Sequence, residues 1–137
     1  MRLLLAIALA ADLVQLAPAD LRWGPSPPSV PPGAKAAVLE GDPKAAGTFT
    51  MRMELPPGYR VPQHTHAADE RVTVLAGSVT VTLERGASKT FPAGSFYLTP
   101  TPVKHTVSTD SGATIQITGM GPWSIEYVDP KDDPRKK

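Results

Sequence analysis

All three histidines of this chain lie in two short patterned stretches, and a glutamate lies close to two of them. His64 and His66 are followed by Glu70, and His105 belongs to the second stretch. Three imidazoles and one carboxylate form a ligand set that divalent transition metals accept, including Fe, Mn, Ni, Co, Cu and Zn. The residue types therefore predict a metal site and leave the identity of the metal open.

The spacing of these residues fits a site inside a β-structure. Side chains alternate along a strand, so residues of equal parity share a face. His64, His66 and Glu70 are even-numbered, and so is Val72, an apolar position expected to face a core. His105 needs only to arrive on an adjacent strand. Ordinary hydrogen-bonded polar residues are the alternative, but one metal would satisfy all four buried groups at once.

The chain from residue 36 onward predicts the strands that would carry such a site. Apolar and polar residues alternate over 49–55, as in a half-buried strand. The alternation resumes after Gly77-Ser78, so residues 71–84 are expected to form a hairpin. Shorter extended segments are expected within 91–99, 105–109, 113–118 and 125–128. Many short strands joined by Gly and Pro turns predict a β-sandwich or barrel.

The two stretches resemble the two signature motifs of the cupin superfamily. The first motif matches at all of its positions, which are Gly58, His64, His66, Glu70 and Gly77. The second matches at Gly94, Pro100 and His105. It departs from the pattern at Pro102, where cupins usually have Gly, and at Thr109, where they have Asn. Neither departure affects a metal ligand.

The resemblance covers about residues 36–128 and implies an all-β fold, the double-stranded β-helix or jelly-roll barrel of cupins. It implies a metal inside the barrel, bound by His64, His66, Glu70 and His105. Four protein ligands on a six-coordinate metal leave two positions for water, substrate or O₂, the openness that catalysis needs. Cupins also commonly form homodimers, sometimes by exchanging N-terminal strands.

Two functions remain open at this point. The first is a metal-dependent enzyme, of the dioxygenase type or an isomerase or lyase, acting on a small organic molecule. Glu70 would then be a ligand only, or a ligand that doubles as a general base. The second is a non-catalytic module that binds or senses a ligand through its metal. Several side chains could line a pocket, although each packs more often in a core or at a rim: Met51, Met53, Tyr59, Phe96 and Tyr97.

The composition limits the other classes. A chain of 137 residues is one domain with a modest core. Its net charge of +1 gives no basis for binding nucleic acid by bulk electrostatics. The chain has no cysteine, which excludes disulfides, thiolate ligands and cysteine nucleophiles.

The segments outside the barrel are expected to have separate roles. Residues 1–11 combine Arg2, an apolar run and an Ala8-Leu9-Ala10 cleavage signal. They predict a signal peptide and export to the periplasm or cell exterior, with no membrane segment after processing; a first helix is the alternative. Residues 12–35 form a Pro-rich arm, packed on its own barrel or on a partner subunit. Residues 129–137 are a polar tail expected to fray.

Overall fold

The structure is a computed structural model that describes residues 12–137. The predicted signal peptide, residues 1–11, lies outside the described residues. Within residues 12–137 the regular structure is ten strands and three single-turn 3₁₀ helices. The strands are β1 (Gly24–Pro25), β2 (Lys35–Glu40), β3 (Gly47–Leu55), β4 (Arg60–Thr65), β5 (Glu70–Leu83), β6 (Ser88–Pro92), β7 (Phe96–Thr99), β8 (His105–Ser108), β9 (Ala113–Gly121) and β10 (Glu126–Tyr127). None of the described helices is long and apolar enough to cross a membrane.

The strands form two curled antiparallel sheets that share β5. The first sheet runs β1-β2-β3-β9 and continues into the first half of β5, which also pairs with β7. The second runs β10-β4-β8, continues into the second half of β5 and ends at β6. This arrangement is a jelly roll, so the predicted all-β double-stranded β-helix is confirmed.

The predicted hairpin over residues 71–84 is wrong, because β5 passes through Gly77 without reversing its direction. The residues before Gly77 pair with β9, whereas those after it pair with β6 and β8. Gly77 has a φ of +67°, and a Cβ added there would lie 2.1 Å from the carbonyl oxygen of Gly112. Both the left-handed backbone and the close approach require glycine. Gly77 therefore bends the strand from one sheet into the other.

The core lies between the two sheets and is built from alternate residues of the long strands. In β3 the side chains of Phe49, Met51 and Met53 are buried, and on the neighbouring strand β9 those of Ile115 and Ile117 are buried beside them. Burying a side chain of this size contributes about 1.5–3 kcal/mol. The alternation predicted over 49–55 is therefore the alternation between core and solvent.

The Pro-rich arm packs on its own barrel. Val30 belongs to the buried core. The Tyr127 hydroxyl donates to the carbonyl of Ser29 at 2.7 Å, and the Tyr59 hydroxyl donates to the carbonyl of Pro31. These contacts place the arm against the barrel of its own chain.

The C-terminal tail does not fray as expected. Its residues form two 3₁₀ turns, Pro130–Asp132 and Pro134–Lys136. Arg135 donates to the carboxylate of the buried Asp133 at 2.8 Å and to the carbonyl of Ile125 at 3.0 Å. These contacts hold the tail against the barrel. The polar composition of the tail does not reveal them, because they depend on which groups the folded barrel places beside it.

Candidate metal centre

Neighbouring strands bring the three histidines together inside the barrel, and Glu70 lies beside His66 without belonging to that group of three. His64 is on β4, Glu70 begins β5 and His105 begins β8, while His66 lies just after β4. His64 is directly opposite His105 in the pairing of β4 with β8. The prediction that His105 arrives on an adjacent strand is therefore confirmed.

All four side chains are buried, and for His64, His66 and Glu70 their shared parity predicted this. The exposed fractions are 2% for His64, 6% for His66, 6% for Glu70 and 0% for His105. Burial this complete would be costly for polar groups that lacked partners. The free-energy cost of burying these side chains therefore depends on what each of their polar atoms contacts.

The three imidazole rings face one another. The ring centroids of His64 and His105 are 4.3 Å apart, those of His64 and His66 4.8 Å, and those of His66 and His105 5.3 Å. One ring nitrogen of each lies within 4.8 Å of the corresponding nitrogens of the other two. The three histidines could therefore hold a single metal ion.

The backbone sets the tautomer of each ring. Every Nδ1 lies against a main-chain carbonyl: for His64, His66 and His105 these are the carbonyls of Pro62, Ser124 and Val103, at 2.7, 2.8 and 2.9 Å. A carbonyl oxygen only accepts, so each Nδ1 must carry the proton and donate it. Each Nε2 is then left as a free lone pair, which is the form that binds a metal.

Burial also keeps the rings of His64 and His105 neutral. The pKa of His64 is lowered to about 3, first by burial and then by the neighbouring His105 and His66 rings. Burial likewise lowers the pKa of His105, against the opposing effect of its hydrogen bond to the Val103 carbonyl. Neutral imidazoles need not release a proton when a metal binds.

The donor set fits a divalent cation. Among the described residues, the buried Nε2 atoms of His66 and His105 have no hydrogen-bond partner. An unsatisfied buried polar atom costs about 1–3 kcal/mol, so two of them in one cluster require an explanation. The Nε2 of His66 also lies 3.5 Å from Oε2 of Glu70, so two hydrogen-bond acceptors are close together with no proton between them. A cation between these acceptors would satisfy them together.

Trp123 contacts this site, which the sequence analysis did not predict. Its Nε1–H donates to Oε2 of Glu70 at 2.9 Å, and its ring stacks on His66 with centroids 5.9 Å apart. The backbone N–H of Trp123 donates in turn to the carbonyl of Pro43. The glycines near Trp123 indicate a tight turn, but they do not indicate that its indole contacts Glu70.

A small cavity adjoins the site. Its volume is about 30 Å³, which is room for one water-sized group. Of the pocket-lining candidates, Met53 and Tyr97 line this cavity, whereas Phe96 is exposed at the surface. Val30 from the arm also lines it, so the arm covers the site. Lys104 is exposed and pairs with Glu84 at 2.8 Å, so it takes no part in the site.

Comparison with protein families gives one match. The family described as "Domain of unknown function (DUF4437)" matches residues 7–126. The chain belongs to this family. A comparison of the DUF4437 chain with curated proteins finds no match by sequence.

Solved structures with the same fold support the cupin resemblance. The polyketide cyclase RemF from Streptomyces resistomycificus has a TM-score of 0.72 at 17% identity, covering 91% of this chain and 92% of its own. An RmlC-like cupin from Shewanella frigidimarina has a TM-score of 0.64 at 15% identity, covering 80% and 92%. The DMSP lyase DddQ from Ruegeria pomeroyi has a TM-score of 0.66 at 18% identity, covering 82% and 64%. Likeness at this identity concerns the fold, and this DUF4437 chain has the fold of a small single-domain cupin.

Proposed function

We propose that this protein is a metal-dependent cupin enzyme that acts on a small organic molecule. Its metal would be bound by Nε2 of His64, His66 and His105 and by the carboxylate of Glu70. The observation that carries the proposal is the pair of buried, unpartnered Nε2 atoms, of His66 and His105, among the described residues. One of the two faces the Glu70 carboxylate at 3.5 Å.

The chain's own residues would position and protect the reaction. A divalent metal would supply Lewis acidity and open coordination positions. The carbonyls of Pro62, Ser124 and Val103 would keep the imidazoles oriented, as outer contacts of metal ligands do. Trp123 would hold Oε2 of Glu70 in place through its hydrogen bond. Glu70 could then also accept a proton from a bound substrate as a general base.

The solved structures with this fold support more than one class of reaction. The solved structures of this fold include a polyketide cyclase, a sugar phosphate isomerase and a DMSP lyase. These are different activities on small molecules, so they support an enzyme and do not select one reaction. Isomerisation, elimination and dioxygenase-type oxidation all remain within the proposal.

A second candidate function is a non-catalytic module that binds or senses a ligand through its metal. The size of the adjoining cavity favours it, since about 30 Å³ has room for a water-sized ligand on the ion but not for an organic substrate in this conformation. An inert, closed metal site would be expected for such a module.

Metal content tests the proposal directly. Elemental analysis by mass spectrometry should find close to one transition-metal ion per wild-type chain, and none in the His64→Ala/His105→Ala double variant. Lys104→Ala is the matched control, because Lys104 is adjacent to His105 in sequence but exposed. A redox-active metal followed by O₂ uptake, or turnover of isomerase or lyase substrates, supports the enzyme; inert zinc supports the binding module. A folded wild-type protein without metal would contradict both.

Export and a homodimeric state belong to the same proposal. The apolar run and Ala8-Leu9-Ala10 signal support export. Cell fractionation with N-terminal sequencing of the mature protein tests it, and light scattering tests the dimer. A cytoplasmic protein that retains Met1 would contradict export, and a monomeric mass would contradict the dimer.

A further inference from the structure

A second cavity lies beside the metal site and is much larger. Its volume is about 380 Å³, which falls within the range of about 300–1,000 Å³ that is typical of small-molecule sites. Its lining is mainly apolar and includes Val81, Leu83, Phe91, Tyr97, Leu98 and Val103.

This cavity is a cleft at the side of the barrel that opens to solvent. Val79 and Val81 on β5 are buried, whereas Leu83 further along β5 and Leu98 on β7 are 43% and 41% exposed where they line the cavity. Among the described strands, β6 and β7 pair only with β5, so each leaves one edge unpaired beside the cavity. Apolar surface that is exposed in a concave site of this size is typical of a ligand-binding groove.

The large cavity lies directly against the proposed metal ligands. Tyr97 lines both this cavity and the small one at the metal site. Val103 lines the large cavity, and its carbonyl accepts the Nδ1–H of His105 at 2.9 Å. Leu83 is the direct strand partner of His105. A ligand held here would thus be separated from the metal site by one aromatic side chain.

The lining also indicates the chemistry of the occupant. The rings of Phe91 and Tyr97 have centroids 4.8 Å apart and form an aromatic wall. Among the described residues that line the cavity, Lys89 alone is charged, and its Nζ lies 5.4 Å from the Phe91 ring centroid. Burial and the Glu70 charge raise the pKa of Tyr97 above its ordinary range, so its hydroxyl keeps its proton and can donate to a ligand oxygen.

We propose that this cavity binds the substrate of the metal site, and that the substrate is an aromatic anion of about two rings. Its rings would lie against Phe91 and Tyr97, its anionic group would meet Lys89, and its opposite edge would face the metal past Tyr97. This inference rests on the proposed function, because it assigns the substrate class of the same site.

Binding of 2-naphthoate to the full chain tests the inference. We expect saturable shifts of backbone amide NMR signals confined to the segments that line the cavity, which are residues 81–87, β6, β7 and residues 100–104. Val103→Trp, which fills the cavity, should weaken binding at least about tenfold. Lys89→Gln should weaken 2-naphthoate by about threefold and leave the neutral 2-naphthalenemethanol unchanged. Leu75→Ala is the matched control, because Leu75 is an exposed leucine outside the cavity and should leave binding unchanged.

The test separates this inference from the proposed function. Mn(II) titration alone reports metal binding, and broadening of 2-naphthoate resonances by bound Mn(II) reports that the two sites adjoin. Amide shifts on β6 and β7 without any bound Mn(II) would support the cavity and contradict the metal site. Bound Mn(II) without those shifts would overturn the inference, as would unchanged binding by Val103→Trp. Ala87→Leu, at the cavity lining, replaces Val103→Trp if that variant does not fold.

Discussion

The indole of Trp123 donates a hydrogen bond to Oε2 of Glu70 at 2.9 Å and stacks on the ring of His66. One side chain from the turn after β9 thereby contacts two proposed ligands that lie in the first motif. Trp123 belongs to neither signature motif. The role of Trp123 is inferred from these two contacts, and the first of five predictions tests it.

Trp123→Phe should lower the affinity for Zn(II) by about 10–100-fold, the usual effect of losing an outer contact to a metal ligand. Phenylalanine keeps the stacking surface but cannot donate to Glu70. Competition with a chelating dye measures the affinity. Trp23→Phe is the matched control, since Trp23 lies on the arm away from the ligands; equal affinities in the two variants would rule out this role for Trp123.

Glu70→Gln should lower the metal affinity by more than about 100-fold, beyond the effect expected for an outer contact. Glutamine has the same size and can still accept from Trp123, so the variant removes the charge and little else. Isothermal titration with Zn(II) measures the change. Glu84→Gln, which alters an exposed glutamate paired with Lys104, should have no effect. Unchanged Zn(II) affinity in Glu70→Gln would mean that the three histidines bind the metal without Glu70.

Gly77→Ala should destabilise the protein far more than Gly86→Ala. Both glycines have positive φ, +67° and +84°, and an L-residue in that conformation costs about 1–2 kcal/mol. An alanine Cβ at Gly77 would also meet the Gly112 carbonyl, whereas Gly86 has open space around it. Urea unfolding of the two variants gives the comparison. Equal losses of stability would show that the bend in β5 does not depend on this close approach.

Val30→Ala should speed the loss of metal to EDTA and lower the free energy of unfolding by about 2 kcal/mol. Val30 is only 4% exposed and lines the small cavity, so the truncation opens the arm's cover over the site. Stopped-flow chelation and urea unfolding measure the two effects. Val14→Ala, on the same arm but 47% exposed, should change neither. Identical chelation rates would mean that the arm does not limit access.

The free energy of unfolding should fall as pH rises above about 10, the ordinary pKa of tyrosine. Burial raises the pKa of Tyr59 above its ordinary range and that of Tyr127 to about 12. Between pH 10 and 12 the unfolded chain therefore loses protons that the folded chain keeps, and stability declines with pH. Their contribution is fully present below pH 10. Urea unfolding across this range should show a shallower decline in Tyr59→Phe/Tyr127→Phe; an identical slope would contradict the prediction.

Local sequence rules were sufficient for part of the fold. The alternation along β3 and along the first half of β5 predicts which residues face the core, because the two-residue period of a strand is a property of the backbone itself. The same rule placed His64, His66 and Glu70 on one face. It failed at Gly77, where a glycine turn signal is compatible both with a hairpin and with a bend between sheets. Only the pairing of β5 with β9 on one side and β6 on the other distinguishes them.

The sequence by itself determined that three histidines and a glutamate have the types and spacing of a metal-ligand set in a cupin barrel. Tertiary structure alone decided that Trp123 supports Glu70, that Val30 covers the site and that Tyr97 separates it from a larger apolar cavity. Each of these contacts joins residues far apart in the chain. Side-chain period and turn chemistry act over a few residues, whereas contacts of this kind depend on how the two sheets close on each other.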